Sequence, residues 1–207
     1  MNMRALKERL FKRLKMHQLD NNTPALNAKA IIIVSALSFL MLLTRGSHVL
    51  TSVALPDASL ALLLIGGLYL RKASWFAFFV LLATTIDFGV ASIDSVQAFC
   101  LTVGYWGMLP TYAVMWLAGV WLSKQADNLN VFKFILASLT STLTAFVIST
   151  QTYYLFSGRF PNRGILETMQ YGWNYLPSFT GFTAMYLVGF WAMAKVLPKE
   201  SIILKTA

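Results

Sequence analysis

The chain has 207 residues, of which 57% are hydrophobic and only 12% are charged, with a net charge of +9. A soluble domain carries roughly 25% charged residues. The composition therefore excludes an ordinary water-facing surface, a disordered chain and, despite the positive charge, a nucleic-acid-binding domain. One cysteine and two histidines also exclude an internal disulfide framework and a zinc site built from several Cys and His ligands. The sequence indicates an integral membrane protein.

Six apolar stretches approach the length of about 20 residues that a helix needs to cross a bilayer. No alternating strand pattern is visible, and in lipid only a helix satisfies every backbone group within one segment. The sequence therefore predicts an all-α, polytopic bundle of six transmembrane helices, of which the second is short. The predicted spans are residues 30–44, 57–70, 75–91, 99–122, 131–154 and 175–196.

The basic residues set the expected orientation. With a cytoplasmic N-terminus, all of the 17 basic residues except Arg45, Arg159 and Arg163 fall on the cytoplasmic side. The positive-inside rule favours this arrangement, with both termini in the cytoplasm. The chain then divides into a basic N-terminal segment (1–28), a membrane domain (29–197) and a cytoplasmic tail (198–207). Apolar residues at three- and four-residue steps predict that the first segment is an amphipathic helix on the inner leaflet; the alternative is a basic tail that only signals topology.

Small residues within the spans indicate close helix packing. Gly66 and Gly67 adjoin in the second span, and a small residue recurs at every fourth position of the fifth span. Such a ridge shares one helix face, which packs inside the bundle or docks another subunit. The ridge consists of Ala137, Ser141, Ala145 and Ser149.

Three outer segments converge on the outer face in this topology (44–59, 87–110 and 156–177). Their aromatic and mixed polar residues suit a pocket for a large, flat, partly polar ligand, the alternative being an interfacial aromatic belt. Asp87, near the outer end of the third span, marks a functional or ion-pairing site, or else it caps the helix. Its candidate partners are Arg45, His48, Arg159 and Arg163. His48 itself is more typical of a hydrogen-bonding residue than of a metal ligand.

Cys100 is the single cysteine and opens the predicted fourth span. A lone membrane cysteine is commonly a small apolar filler. At a helix N-terminus, however, the pKa of a thiol falls, and an accessible thiolate ligates soft transition metals. Because one cysteine builds no metal site unaided, this position suits a ligand for a metal that a macrocycle already holds.

These residues resemble the BtuM group of bacterial vitamin B12 (cobalamin) transporters. Members of this group are six-helix membrane proteins similar to the substrate-binding S components of energy-coupling-factor (ECF) transporters. The similarity covers about residues 30–196. It is carried by the run LPDAS at 55–59 before a Gly-Gly span, by Asp87, and most specifically by the stretch from Phe99 through Cys100 to Tyr105.

The resemblance implies cobalamin uptake across the bacterial inner membrane by an ECF S-component-like bundle. It implies that Cys100 ligates the cobalt of the transported corrin and removes cyanide from cyanocobalamin. The implied pocket residues are His48, Asp87, Tyr105 and either Arg159 or Arg163. The corrin is large and flat and carries amide side chains, so aromatic walls are expected from Tyr153, Tyr154, Phe156, Tyr171 and Trp173.

The implied partners are cobalamin, the bilayer and an ECF energising module. The first helix, however, lacks the Ala-x-x-x-Ala face with which many S components dock that module, which agrees with family members that act alone. Three other functions stay open. A flavin- or thiamin-type vitamin contains no metal and needs no Cys100. A membrane sensor or scaffold needs a cytoplasmic output partner, and an intramembrane lipid enzyme needs a paired acid–base or Ser-His-Asp set.

Overall fold

The computed structural model of the protein describes residues 28–45, 55–99, 101–125, 130–160 and 164–196. Within these ranges the chain is helical and contains no strand, which confirms the all-α prediction. The predicted N-terminal segment, apart from Ala28, and the predicted tail (198–207) lie outside the described residues. So do three predicted site residues, His48, Cys100 and Arg163.

Six longer helices and two single-turn helices make up the described fold. A 3-10 helix at Val103–Gly107 and another at Trp173–Tyr175 lie in the connections. The longer helices correspond in number and order to the six apolar stretches. In chain order the helices are α1 (Ala28–Arg45), α2 (Ser59–Tyr69), α3 (Ala73–Ala91), α4 (Ser95–Ala98), α5 (Met108–Lys124), α6 (Val131–Phe156), α7 (Ile165–Thr168) and α8 (Leu176–Val196).

Three of the described helices, α1, α3 and α6, are long and apolar enough to cross a membrane. Large apolar side chains also cover the outside of these helices: Ile32 is 67% exposed, Leu81 66% and Phe132 71%. Soluble proteins rarely expose apolar surface on this scale. The three helices and this surface are consistent with a membrane protein.

The central helix of the bundle is α2. Residues 61–67 are buried without interruption, as expected for a helix that is apolar on all sides. It packs extensively against α5, where two glycines bring the backbones together. A Cβ on Gly67 would meet the Trp116 carbonyl group, and one on Gly119 would meet the Leu64 carbonyl oxygen. The close packing predicted for the Gly-Gly pair is confirmed.

The small-residue face of α6 also faces the interior. Ser141 and Ala145 are buried, while Ala137 and Ser149 are partly buried. Helix α6 packs extensively against α5. This face therefore packs within the bundle.

The fourth long helix begins later than predicted. It starts at Met108 rather than at residue 99, because α4 and the 3-10 helix Val103–Gly107 occupy the preceding residues. Gly104 and Gly107 lie directly against Thr152 of α6, and this contact holds the segment in a tight turn. The predicted start of the span is wrong. Cys100 itself lies outside the described residues, so its position at a helix N-terminus stays a prediction.

Candidate functional site

A cavity of about 400 Å³ lies at the end of the bundle where α1 ends and α2 begins. The segment leading into α2, the end of α3, the stretch between residue 101 and α5, and one side of α6 complete its walls. Residues distant in sequence therefore meet here, and the first two of the segments that were predicted to converge line one cavity. Their place on the outer face stays a prediction. The polar lining residues include Arg45, Asp57, Asp87, Tyr105, Ser149 and Tyr153.

The centre of the site is an ion pair between α1 and α3. Arg45 is the last residue of α1, and Asp87 lies about one turn before the end of α3. The Arg45 Nε donates to Asp87 Oδ1 at 2.5 Å, and Nη2 donates to Oδ2 at 2.6 Å. The Arg45 side chain is only 9% exposed, and a cation at such a position is costly unless it is paired. The pairing predicted for Asp87 is confirmed, with Arg45 as the partner.

A second carboxylate, Asp57, holds the other edge of the Arg45 guanidinium. Arg45 Nη1 donates to Asp57 Oδ2 at 3.0 Å and to the Ser59 hydroxyl at 2.9 Å. Asp57 Oδ1 also accepts from the Ser59 backbone N–H at 2.9 Å and from its hydroxyl at 2.6 Å. The run LPDAS therefore ties the start of α2 to the end of α1. The Arg45 guanidinium also lies 5.7 Å from the centroid of the Tyr112 ring, a favourable position for a cation.

Tyr105 completes the network from the 3-10 helix that precedes α5. Its hydroxyl donates to Asp87 Oδ2 at 2.8 Å, and its ring contacts Phe88 edge-on. The turn that Gly104 and Gly107 form against α6 brings Tyr105 to this position. Burial and the Asp87 carboxylate raise the pKa of Tyr105 to about 12. The phenol therefore stays protonated at neutral pH and acts as a donor.

The cavity has an excess of negative charge. Among its described lining residues the single cation, Arg45, faces two carboxylates. The two carboxylates differ in access, because the Asp57 side chain is 48% exposed and the Asp87 side chain only 18%. The charge that is most available to a bound molecule is therefore that of Asp57.

Arg159 contacts the segment before Cys100 rather than the ion-pair network. Its Nη2 donates to the Phe99 carbonyl oxygen at 2.8 Å, and its guanidinium stacks on the Phe99 ring. Arg159 follows α6, so this contact joins the third outer segment to the second. The next described residue after Phe99, Leu101, lines the cavity.

The structure brings two predicted site residues, Asp87 and Tyr105, into direct contact. It places Arg159 beside Phe99, outside the described cavity lining. Of the expected aromatic walls, only Tyr153 lines the cavity, whereas Tyr171 and Trp173 are 41% and 46% exposed.

Asp57 was not predicted as a site residue, and Arg45 was predicted only as a partner of Asp87. The signal for both was the presence of opposite charges within one short segment (44–59), next to helix α2, which has no charged residue. Such charges favour pairing at the membrane boundary.

We expect Tyr105→Phe to lower the free energy of unfolding by about 1–2 kcal/mol, because a hydrogen bond to a charged acceptor is lost. Since folding raises the pKa of Tyr105 above its usual value of 10, this contribution is complete below pH 10. It disappears as the pH rises through about 12. Thermal unfolding in detergent at several pH values measures the difference. The control is Tyr175→Phe at an exposed tyrosine, and equal melting of the wild type and Tyr105→Phe contradicts the prediction.

The described residues contain no group of three or more His, Cys, Asp and Glu side chains that could hold a metal ion. Comparison of the sequence with protein-family models and with curated proteins gives no match.

Proposed function

We propose that this protein binds cobalamin in the cavity at the outer end of the bundle and carries it across a bacterial inner membrane. Cobalt belongs to the transported molecule, and the Cys100 thiolate is its ligand. With cyanocobalamin the thiolate replaces cyanide, which leaves as the anion while cobalt stays trivalent. Asp87 and Tyr105 form part of the pocket wall, with His48 and an arginine, Arg159 or Arg163, as further contacts.

The observation that supports the proposal most strongly is that the cavity is built from the parts of the sequence that carry the resemblance. The resemblance to the BtuM group depends on the LPDAS run, Asp87 and the stretch from Phe99 to Tyr105. Asp57, Asp87 and Tyr105, one from each of these pieces, belong to the same hydrogen-bonded network. Leu101, which follows Cys100 in the chain, lines the same cavity. Three separate parts of the sequence motif thus meet at one pocket.

The proposed topology has six spans, with both termini in the cytoplasm and the cavity on the outer side. The asymmetric distribution of lysine and arginine supports it. At about 1.5 Å per residue, the 11 residues of α2 extend about 17 Å, so this span needs its flanking residues to cross the bilayer. The protein acts alone or with an ECF energising module, and the lack of an Ala-x-x-x-Ala face on α1 favours the first.

The test is the absorption spectrum of purified full-length protein mixed with hydroxocobalamin. We expect a thiolate–cobalt band with the wild type, and with Cys100→Ser we expect only the spectrum of the free corrinoid. The reason is that a serine hydroxyl is a far poorer ligand for a soft metal centre than a thiolate. With cyanocobalamin, only the wild type should release cyanide.

A matched melting curve for Cys100→Ser shows that the variant is folded. The same band in both proteins contradicts the role of Cys100. Absence of corrinoid binding by the folded wild type contradicts the proposed function as a whole. Uptake is measured separately, by growth of a B12-dependent, uptake-deficient bacterium that expresses this chain alone.

The size of the cavity favours one second candidate. About 400 Å³ is near the lower end of the range of about 300–1,000 Å³ for small-molecule pockets, which suits a flavin- or thiamin-type vitamin. Such a ligand binds equally well to the wild type and to Cys100→Ser. The spectral experiment, repeated with flavin and thiamin as ligands, therefore separates the two functions.

A further inference from the structure

We infer that Asp57 is a specificity residue, which admits ligands that present amide N–H groups to the cavity and rejects those that present carboxylates. The inference rests on the proposed function, because it concerns the side chains of a corrin bound at that site. The evidence for it is which donors and acceptors of the cavity already have hydrogen-bond partners in the protein.

The hydrogen-bond donors of Arg45 and Tyr105 are already used within the protein. Arg45 has five N–H groups, and four of them donate to Asp57, Asp87 and Ser59. The Tyr105 hydroxyl donates to Asp87. A ligand carboxylate would therefore have to compete with two protein carboxylates for the same guanidinium group.

The acceptors have capacity left. An ionised carboxylate offers about four acceptor positions, and within the described residues Asp57 accepts three hydrogen bonds. Asp87 also accepts three, but its side chain is 18% exposed against 48% for Asp57. Within the Arg45 network, the polar group that is most available to a bound molecule is therefore an acceptor, the Asp57 carboxylate.

The net charge of the cavity lining also favours an amide over a carboxylate. The described lining residues carry one positive and two negative charges, so a further carboxylate adds like-charge repulsion at short range. Such a juxtaposition in a partly desolvated site costs much more than it does in water. An amide N–H adds no charge and donates to the free acceptor position of Asp57. The corrin ring of cobalamin carries several primary amides, which suits this pattern.

The experiment compares three corrinoids that share one ring and differ in its peripheral groups. Cobinamide has amides, cobyrinic acid has carboxylates, and the heptamethyl ester of cobyrinic acid has neither charge nor N–H groups. Affinities come from the absorbance change on binding to full-length wild-type protein in detergent. We expect the amide form to bind at least about tenfold more tightly than the carboxylate form, with the ester in between.

The variant Asp57→Asn removes the charge of this side chain and keeps its shape. In the wild type the ester is expected to bind more tightly than the carboxylate form. We expect the ratio of the ester affinity to the carboxylate affinity to fall at least about threefold in Asp57→Asn, because the repulsion of the carboxylates is reduced. Glu167→Gln is the matched control, since it makes the same chemical change at an exposed residue of α7, outside the described cavity lining. Its ratio should equal that of the wild type.

Equal affinities of the ester and carboxylate forms for the wild type overturn the inference and leave the proposed function intact. An unchanged ratio in folded Asp57→Asn overturns the role of Asp57. Failure of all three corrinoids to bind contradicts the proposed function itself. Even if Asp57→Asn does not fold, the wild-type series still decides whether the cavity prefers amides to carboxylates.

Discussion

Replacing Arg45 with leucine should lower the free energy of unfolding by about 3–5 kcal/mol, because it leaves the partly buried Asp87 carboxylate without its ion-pair partner. The Arg45 side chain is 9% exposed and pairs with Asp57 and Asp87. Without it the two carboxylates repel each other at the junction of α1, α2 and α3. The measurement is thermal or denaturant unfolding of the purified protein in detergent.

The double variant Arg45→Leu/Asp87→Leu tests this explanation. A buried ion pair replaced by apolar residues of similar volume is often neutral, so the second substitution should recover most of the lost stability. Arg159→Leu is the matched control at an exposed arginine, where surface ion pairs and stacking contribute at most about 1 kcal/mol. If Arg45→Leu is no more harmful than Arg159→Leu, the network does not stabilise this end of the bundle.

The six longer helices of this fold could be predicted because each coincides with an apolar run in the sequence. Apolar runs bounded by charged or polar residues gave α6 its start at Val131 and α3 its end at Ala91, both as predicted. The start of α5 could not be found in this way. It depends on the contact of Gly104 and Gly107 with Thr152, more than 40 residues further along the chain.

The residues of the candidate site also divide into those that could be predicted from the sequence and those that could not. A carboxylate near the end of an apolar span is a local signal, so the pairing of Asp87 was predicted. The choice of Arg45 among four candidate partners was not, because it depends on which helix ends meet. Asp57 was noted only as part of the LPDAS run that carries the resemblance. Its contact with Arg45 could not be predicted, because it depends on the start of α2 lying beside the end of α1.

The second large effect is expected from Gly119→Ala on α5. A Cβ at this position would meet the Leu64 carbonyl oxygen, and backbone of a buried helix cannot move aside as a side chain does. Overpacking typically costs about 1–3 kcal/mol and occasionally more; we expect about 3 kcal/mol or more here. Gly181→Ala on α8 is the control, because a Cβ there meets nothing within 4 Å. It should leave stability unchanged or raise it by up to about 1 kcal/mol.

Gly119→Ala is also expected to change the geometry of the candidate site. The start of α2 follows Asp57, and the start of α5 follows Tyr105, so both network residues precede helices that cross at Gly119. Any increase in the α2–α5 separation therefore shifts Asp57 relative to Tyr105. We expect Gly119→Ala to weaken ligand binding as well as stability, although the residue lies outside the described cavity lining. Equal melting and equal binding of Gly119→Ala and Gly181→Ala contradict the close crossing of the two helices.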